Sequence, residues 1–190
     1  MKRVSIAGLG AIALIAALPF SGTIPGVPSL WNMSSVIASN TQHQPQVHLQ
    51  LDAEKQVVQQ DKENKPKITW KSLSGQAAVI PGDVLRYTIS AENFSDRPVK
   101  NLTIKQPIPK AMVYVLKSAT INGNTGTKIA YSIDGGHTFV ENPTVKVTLP
   151  SGKVETRPAP ATAYTNISWN FGTSVLPKTT IKGTYQLQVR

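Results

Sequence analysis

The chain has 190 residues and no cysteine. Disulfides, thiolate metal sites, cysteine nucleophiles and a lipid carried on an N-terminal cysteine are therefore excluded. A domain of this size can bury a sufficient core without such staples. Acidic residues are scarce, 10 against 20 Lys+Arg, and none precedes Asp52. Helical patterning is equally scarce. The one candidate, residues 53–64, offers only Ala53, Val57 and Val58 as apolar positions. Three such residues define no helical face, and the segment reads as an irregular strand. Catalytic signatures are also missing: no G-x-S-x-G, H-E-x-x-H, P-loop or G-x-G-x-x-G occurs. The histidines are His43, His48 and His137. A zinc site needs three or four convergent ligands, and the sequence nominates no third partner for His43 and His48. Nothing in the pattern calls for a cofactor or a metal.

Long apolar runs are limited to one. After Met1-Lys2-Arg3, residues 4–18 carry no charge before Pro19 interrupts them. A basic start followed by a short apolar stretch is the pattern of a secretory signal peptide. Its 15 residues fall short of the roughly 20 that span a bilayer as a helix. Val36-Ile37-Ala38 before Ser39 offers small residues for cleavage, with an uncleaved anchor as the alternative. The chain thus divides into residues 1–38 as signal peptide or anchor, 39–45 as linker and 46–190 as the folded domain. Without Lys2 and Arg3 the remainder holds 18 basic and 10 acidic residues. Such a balance favours anionic surfaces, among them wall polymers, acidic polysaccharide and lipid head groups. The charges are spread along the chain rather than clustered, however, and solubility is the plainer account of them.

What is abundant is alternation with period two, bounded by turn residues. Val47, Leu49 and Leu51 alternate with His48, Gln50 and Asp52. Residues 68–73, with Trp70, form the next candidate strand. Leu85, Tyr87, Ile89 and Ala91 alternate with Arg86, Thr88, Ser90 and Glu92, the clearest half-buried strand in the chain. Similar runs follow at Leu102–Ile104, 112–116, 129–133, 145–149, 165–171 and 181–189. Pro81-Gly82-Asp83, Asp134-Gly135-Gly136 and Pro150-Ser151-Gly152 supply turns. About nine or ten short strands separated by turn signals every 8–12 residues predict an all-β, antiparallel, immunoglobulin-like β-sandwich. Tyr87, Trp169, Phe171 and Tyr185 fall on the apolar faces, which favours core packing over stacking on nucleic acid.

One local motif stands out. Ser132, Asp134, Gly136, Thr138 and Phe139 fit the Asp-box pattern S-x-D-x-G-x-T-aromatic. The carboxylate is expected to accept backbone N–H groups within the turn while the aromatic ring packs beneath it. That makes the box a structural hairpin rather than a calcium or glycan contact. Sequons occur at Asn93, Asn101 and Asn166.

The run Pro81-Gly82-Asp83-Val84-Leu85-Arg86-Tyr87-Thr88-Ile89, then Asn93, then Pro98 to Ile104, then Pro107-Ile108-Pro109, resembles a bacterial repeat-domain family. The family is called "domain of unknown function 11", or the conserved repeat domain of surface proteins. The resemblance covers residues 80–116 closely and the rest loosely, with the Tyr131–Phe139 hairpin also similar. The family tends to carry an acid just before its Pro-x-Pro stretch, where this chain has Gln106. The resemblance implies an immunoglobulin-like sandwich on a secreted or surface-attached protein, with no enzyme activity and no catalytic residues.

The expected function is therefore an exported, non-enzymatic structural or interaction module of the envelope or extracellular space. Its partner would be a protein or an anionic envelope polymer, not nucleic acid, and it would touch membrane only through an uncleaved N-terminal segment. The alternatives are a basic module for envelope polymers or glycans and, more remotely, a hydrolase built around Asp134, His137 and a hydroxyl.

Overall fold

A computed structural model describes residues 13–15, 47–60, 62–73, 78–123 and 126–190. Most of the export segment, its candidate cleavage point, the 39–45 linker and His43 lie outside the described residues. The chain forms β1 (Ala13–Ile15), β2 (Val47–Gln60), β3 (Pro66–Ser72), β4 (Val84–Asn93), β5 (Val99–Lys100), β6 (Thr103–Pro107) and β7 (Met112–Tyr114). It continues with β8 (Thr120–Asn122), β9 (Lys128–Ser132), β10 (Thr144–Thr148), β11 (Val154–Pro158), a single 3-10 turn at Ala161–Ala163, β12 (Asn166–Asn170), β13 (Ser174–Val175) and β14 (Thr180–Val189). The described chain is all-β, as its alternating pattern predicts.

The larger sheet runs β3-β2-β4-β14-β7, with β8 also paired to β14. The second runs β6-β12-β9, and the short β1 pairs with the outer side of β6. Two small ribbons, β10-β11 and β13-β5, complete the described strands. Every pairing is antiparallel except that of β1 with β6. Such a β-sandwich-like arrangement joins strands through tight turns, which suits a sequence rich in Gly and Pro and poor in helical runs.

Residues 53–60 are strand, as read from their lack of a helical face, and they continue the Val47–Asp52 strand without a break through Gln60, although the alternation is clean only to Asp52. The first part of β2 pairs with β4 as far as Lys55, and its far end pairs only with β3, where Val58 lies opposite Ile68. The β3 hairpin, not local patterning, supplies the backbone partners that keep residues 56–60 extended. The result is a two-stranded ribbon whose Val58 and Ile68 remain exposed.

The core lies between the two sheets. Leu85, Tyr87, Ile89 and Ala91 of β4 and Ile181, Tyr185, Leu187 and Val189 of β14 face Ile104 of β6 and Ile167 and Trp169 of β12. Tyr185 touches Tyr87 within its own sheet and Trp169 from the other, each with ring centroids 5.3 Å apart. Gly183 sits on the inward face of β14, where a Cβ would lie 2.9 Å from the Trp169 ring. The glycine thus leaves the space that the indole fills. Gln106 also points into this interior, fully buried, and neither of its amide atoms finds a partner among the described residues.

Candidate binding face

The Asp-box residues come together in the hairpin after β9. Asp134 Oδ1 accepts from the Ser132 hydroxyl at 2.6 Å and from the backbone N–H groups of His137 and Thr138 at 3.1 and 3.0 Å. Its Oδ2 accepts from Thr138 Oγ1 at 2.6 Å and from the Thr138 N–H at 3.1 Å. The Ser132 oxygen in turn accepts from the N–H groups of Asp134 and Gly136. Gly136 takes φ 92°, a left-handed conformation that glycine adopts freely. Phe139 folds back so that its ring faces Lys105 Nζ at 4.7 Å. The His137 ring contacts the Asp134 carbonyl. Both carboxylate oxygens are thus engaged inside the turn. Among the described residues, no three His, Asp or Glu side chains converge as a metal site.

These hydrogen bonds, first from Ser132 and then from Thr138, hold the Asp134 carboxyl well below its ordinary value of 3.8. A carboxyl depressed in the folded state contributes stability that is fully present above the unfolded value. That contribution fades as pH falls below 3.8 toward the folded value. Asp134→Asn is therefore expected to melt at lower temperature than the parent at neutral pH. The gap should narrow as the solution is acidified below 3.8. Thermal denaturation followed by circular dichroism across acidic pH measures both quantities. A gap of constant size at every pH would remove the carboxylate charge from the account.

The second assembly is on the outward face of the larger sheet. Antiparallel pairing fixes which side chains share that face, because directly opposed residues point the same way. His48 lies opposite Glu92, and Glu92 opposite Thr180. The next rows are Gln50, Ser90 and Lys182, then Asp52, Thr88 and Thr184, then Glu54, Arg86 and Gln186. Three central strands therefore display a grid of polar groups, four rows deep.

The two ends of this grid differ. At the Glu54 end the charges are satisfied. Arg86 Nη2 and Nε lie 2.7 and 2.8 Å from Glu54 Oε2, and the guanidinium stacks 4.3 Å over the Trp70 ring. At the other end the sheet forms an open trough of about 260 Å³, lined by His48, Gln50, Asp52, Ser90, Glu92, Thr180 and Lys182. Gln50 Nε2 donates to Asp52 Oδ1 at 3.0 Å. Phe94 is 48% exposed at the rim, with its ring centroid 5.6 Å from that of His48. Glu92 and Lys182 are diagonal neighbours across β4 and β14, yet no ion pair among the described residues includes either.

Sequence reasoning placed His48, Gln50, Asp52, Ser90 and Glu92 on the polar sides of their strands and read 181–189 as a strand, but did not group them. The alternation carries that polarity, but not which strands are neighbours. β2 and β14 flank β4 although about 90 residues of sequence separate Glu92 from Lys182. The sequons also separate in space. Asn93 is fully buried, whereas Asn101 is exposed and Asn166 half-buried. Compared with known proteins, the chain matches no family model, no curated protein and no solved structure.

Proposed function

We propose that this protein is an exported, non-enzymatic interaction module of the cell envelope or extracellular space. We read its sandwich as immunoglobulin-like and of the conserved repeat-domain kind, docking through the outer face of the larger sheet. The observation that carries this reading is the contrast on that face. Polar side chains from three paired strands line an open trough around Glu92 and Lys182, while the charges at the far end are already paired. Affinity then arises from a preformed surface rather than from bond chemistry. The apolar segment at residues 4–18 supports export, as signal peptide or as anchor. A hydrolase would need Asp134 and His137 to meet a hydroxyl in a cleft, whereas the Asp134 oxygens are held within their own turn.

Fractionating cells that express the tagged full chain, followed by capture from the envelope and medium fractions, tests the proposal. Enrichment with envelope material is the expected result; protein found only in cytosol would end it.

A second reading, a basic module for anionic envelope polymer, is favoured by the β2–β3 ribbon. Lys62, Lys67 and Lys71 are exposed there, beside the exposed pair Val58 and Ile68. Binding of that kind weakens steeply as salt rises, because it depends on screened surface charge.

A further inference from the structure

We infer that the trough across β2, β4 and β14 is a binding site for a neutral, hydroxyl-rich glycan chain. The inference rests on the interaction-module reading and names what its outer face takes. Sugar hydroxyls both donate and accept hydrogen bonds, so a site for them presents donors and acceptors side by side. Asp52 and Glu92 offer carboxylate oxygens, Lys182 offers an ammonium, and Gln50 and Ser90 serve in either sense. Hydrogen bonds to the charged members are the stronger ones.

The charge balance selects among polymers. Two carboxylates stand in the trough beside Lys182 and His48. A sulfated or carboxylated chain lying there would bring anions against both acids, whereas a neutral chain meets no such repulsion. Cation binding is disfavoured by the geometry, since no three ligating groups converge among the described residues.

The open charges are informative. A diagonal Glu–Lys pair on a sheet ordinarily gains a little by closing. Here no ion pair among the described residues includes Glu92 or Lys182, and both side chains line the trough. Both stand on strands locked in register by long ladders, β4 with β2 and β4 with β14. The groups are thereby preorganised, and ordering them on binding costs little. An aromatic ring bounds one end of the row, where Phe94 is exposed beside His48. At the other end Arg86 already covers the Trp70 ring. From His48 to Asp52 the strand advances roughly 13 Å at about 3.3 Å per residue, room for two or three sugar rings.

Native gel electrophoresis of the full chain, in gels cast with soluble polymer, tests the site. The neutral probes are hydroxyethyl cellulose, galactomannan and dextran; the anionic probes are polygalacturonate and dextran sulfate. Retardation by at least one neutral polymer, unchanged between low and high salt, is the expected result. Glu92→Gln and Lys182→Met, both at exposed or half-exposed positions, are expected to keep the parent melting temperature. Each should weaken retardation by about tenfold or more. The inference fails if no neutral polymer retards the protein, or if both variants are retarded like the parent. It fails equally if only anionic polymers act and salt abolishes their effect, an outcome that transfers the binding to the basic ribbon. Failure of the underlying module reading would look different, as confinement of the protein to cytosol.

Discussion

Trp169→Ala is expected to lower stability by about 3–5 kcal/mol, the range for removing a large buried aromatic side chain. Trp169 is fully buried and joins the two sheets. Its ring contacts Tyr185 of the opposite sheet, and its Nε1 donates to the Thr120 carbonyl at 3.1 Å. Truncation would leave a cavity at the centre of the core and remove the donor on which the β8 carbonyl depends. Against a typical total of 5–15 kcal/mol, that loss is a large fraction. It corresponds to a drop in melting temperature of about 6–20 °C for a domain of this size. Gly183→Ala approaches the same contact from the other side. In an ordinary strand the change would stabilise by roughly 0.5–1 kcal/mol, because glycine loses more backbone freedom on folding. Here the new methyl would lie 2.9 Å from the indole, and overpacking of this kind costs about 1–3 kcal/mol. The clash outweighs the propensity gain, so the variant is expected to melt lower than the parent. Chemical denaturation of both variants measures the two effects. A Gly183→Ala protein more stable than the parent would show that the indole has room to move.

Asn93→Ala is expected to cost about 2–4 kcal/mol, far more than an ordinary polar-to-alanine change at a strand end. Asn93 is fully buried at the last position of β4. Its Nδ2 donates to the carbonyls of Arg97, Val175 and Leu176 at 2.9, 3.1 and 3.1 Å. Its Oδ1 accepts from the backbone N–H and the hydroxyl of Ser95. One side chain therefore ties the turn after β4 to the connection between β13 and β14, more than 80 residues away. Alanine removes every one of these bonds and leaves the partners to find water. The backbone bonds Asn93 N to Thr179 O and Lys178 N to Asn93 O survive, which keeps the estimate below that for a core truncation. Asn93→Asp is the sharper variant. It keeps the shape but turns a donor into a charged acceptor facing three carbonyl oxygens, and it is expected to be at least as damaging. Equilibrium unfolding of both variants tests this, and a loss below about 1 kcal/mol in each would demote Asn93 to an ordinary turn residue.

The same residue shows how far local reading reached. Asn93 opens a stretch of turn residues running to Pro98, and the turn could be anticipated from that composition. Its carbonyl partners at Val175 and Leu176 could not, because nothing in a local window relates two segments so far apart. The Asp-box hairpin is the opposite case. Ser132, Asp134, Gly136 and Thr138 lie within one turn, and every bond to the Asp134 carboxylate comes from residues 132–138. The carboxylate's bonds follow from local spacing, while Thr165, from a distant segment, adds further bonds to Ser132 and Gly135.

By itself, the sequence determined the strands that alternate cleanly, the inward direction of Leu85, Tyr87, Trp169 and Tyr185, and the local hairpin. Side-chain alternation and turn chemistry act over a few residues, so a linear chain records them directly. Only the tertiary structure decided that β2, β4 and β14 lie side by side, that β2 runs on to meet β3, and that Glu92, Lys182 and Asp52 share one trough. Those facts depend on which strands exchange backbone hydrogen bonds. Any half-buried strand can satisfy its ladder with many partners, and the choice falls to the packing of the whole core around Trp169 and Gly183.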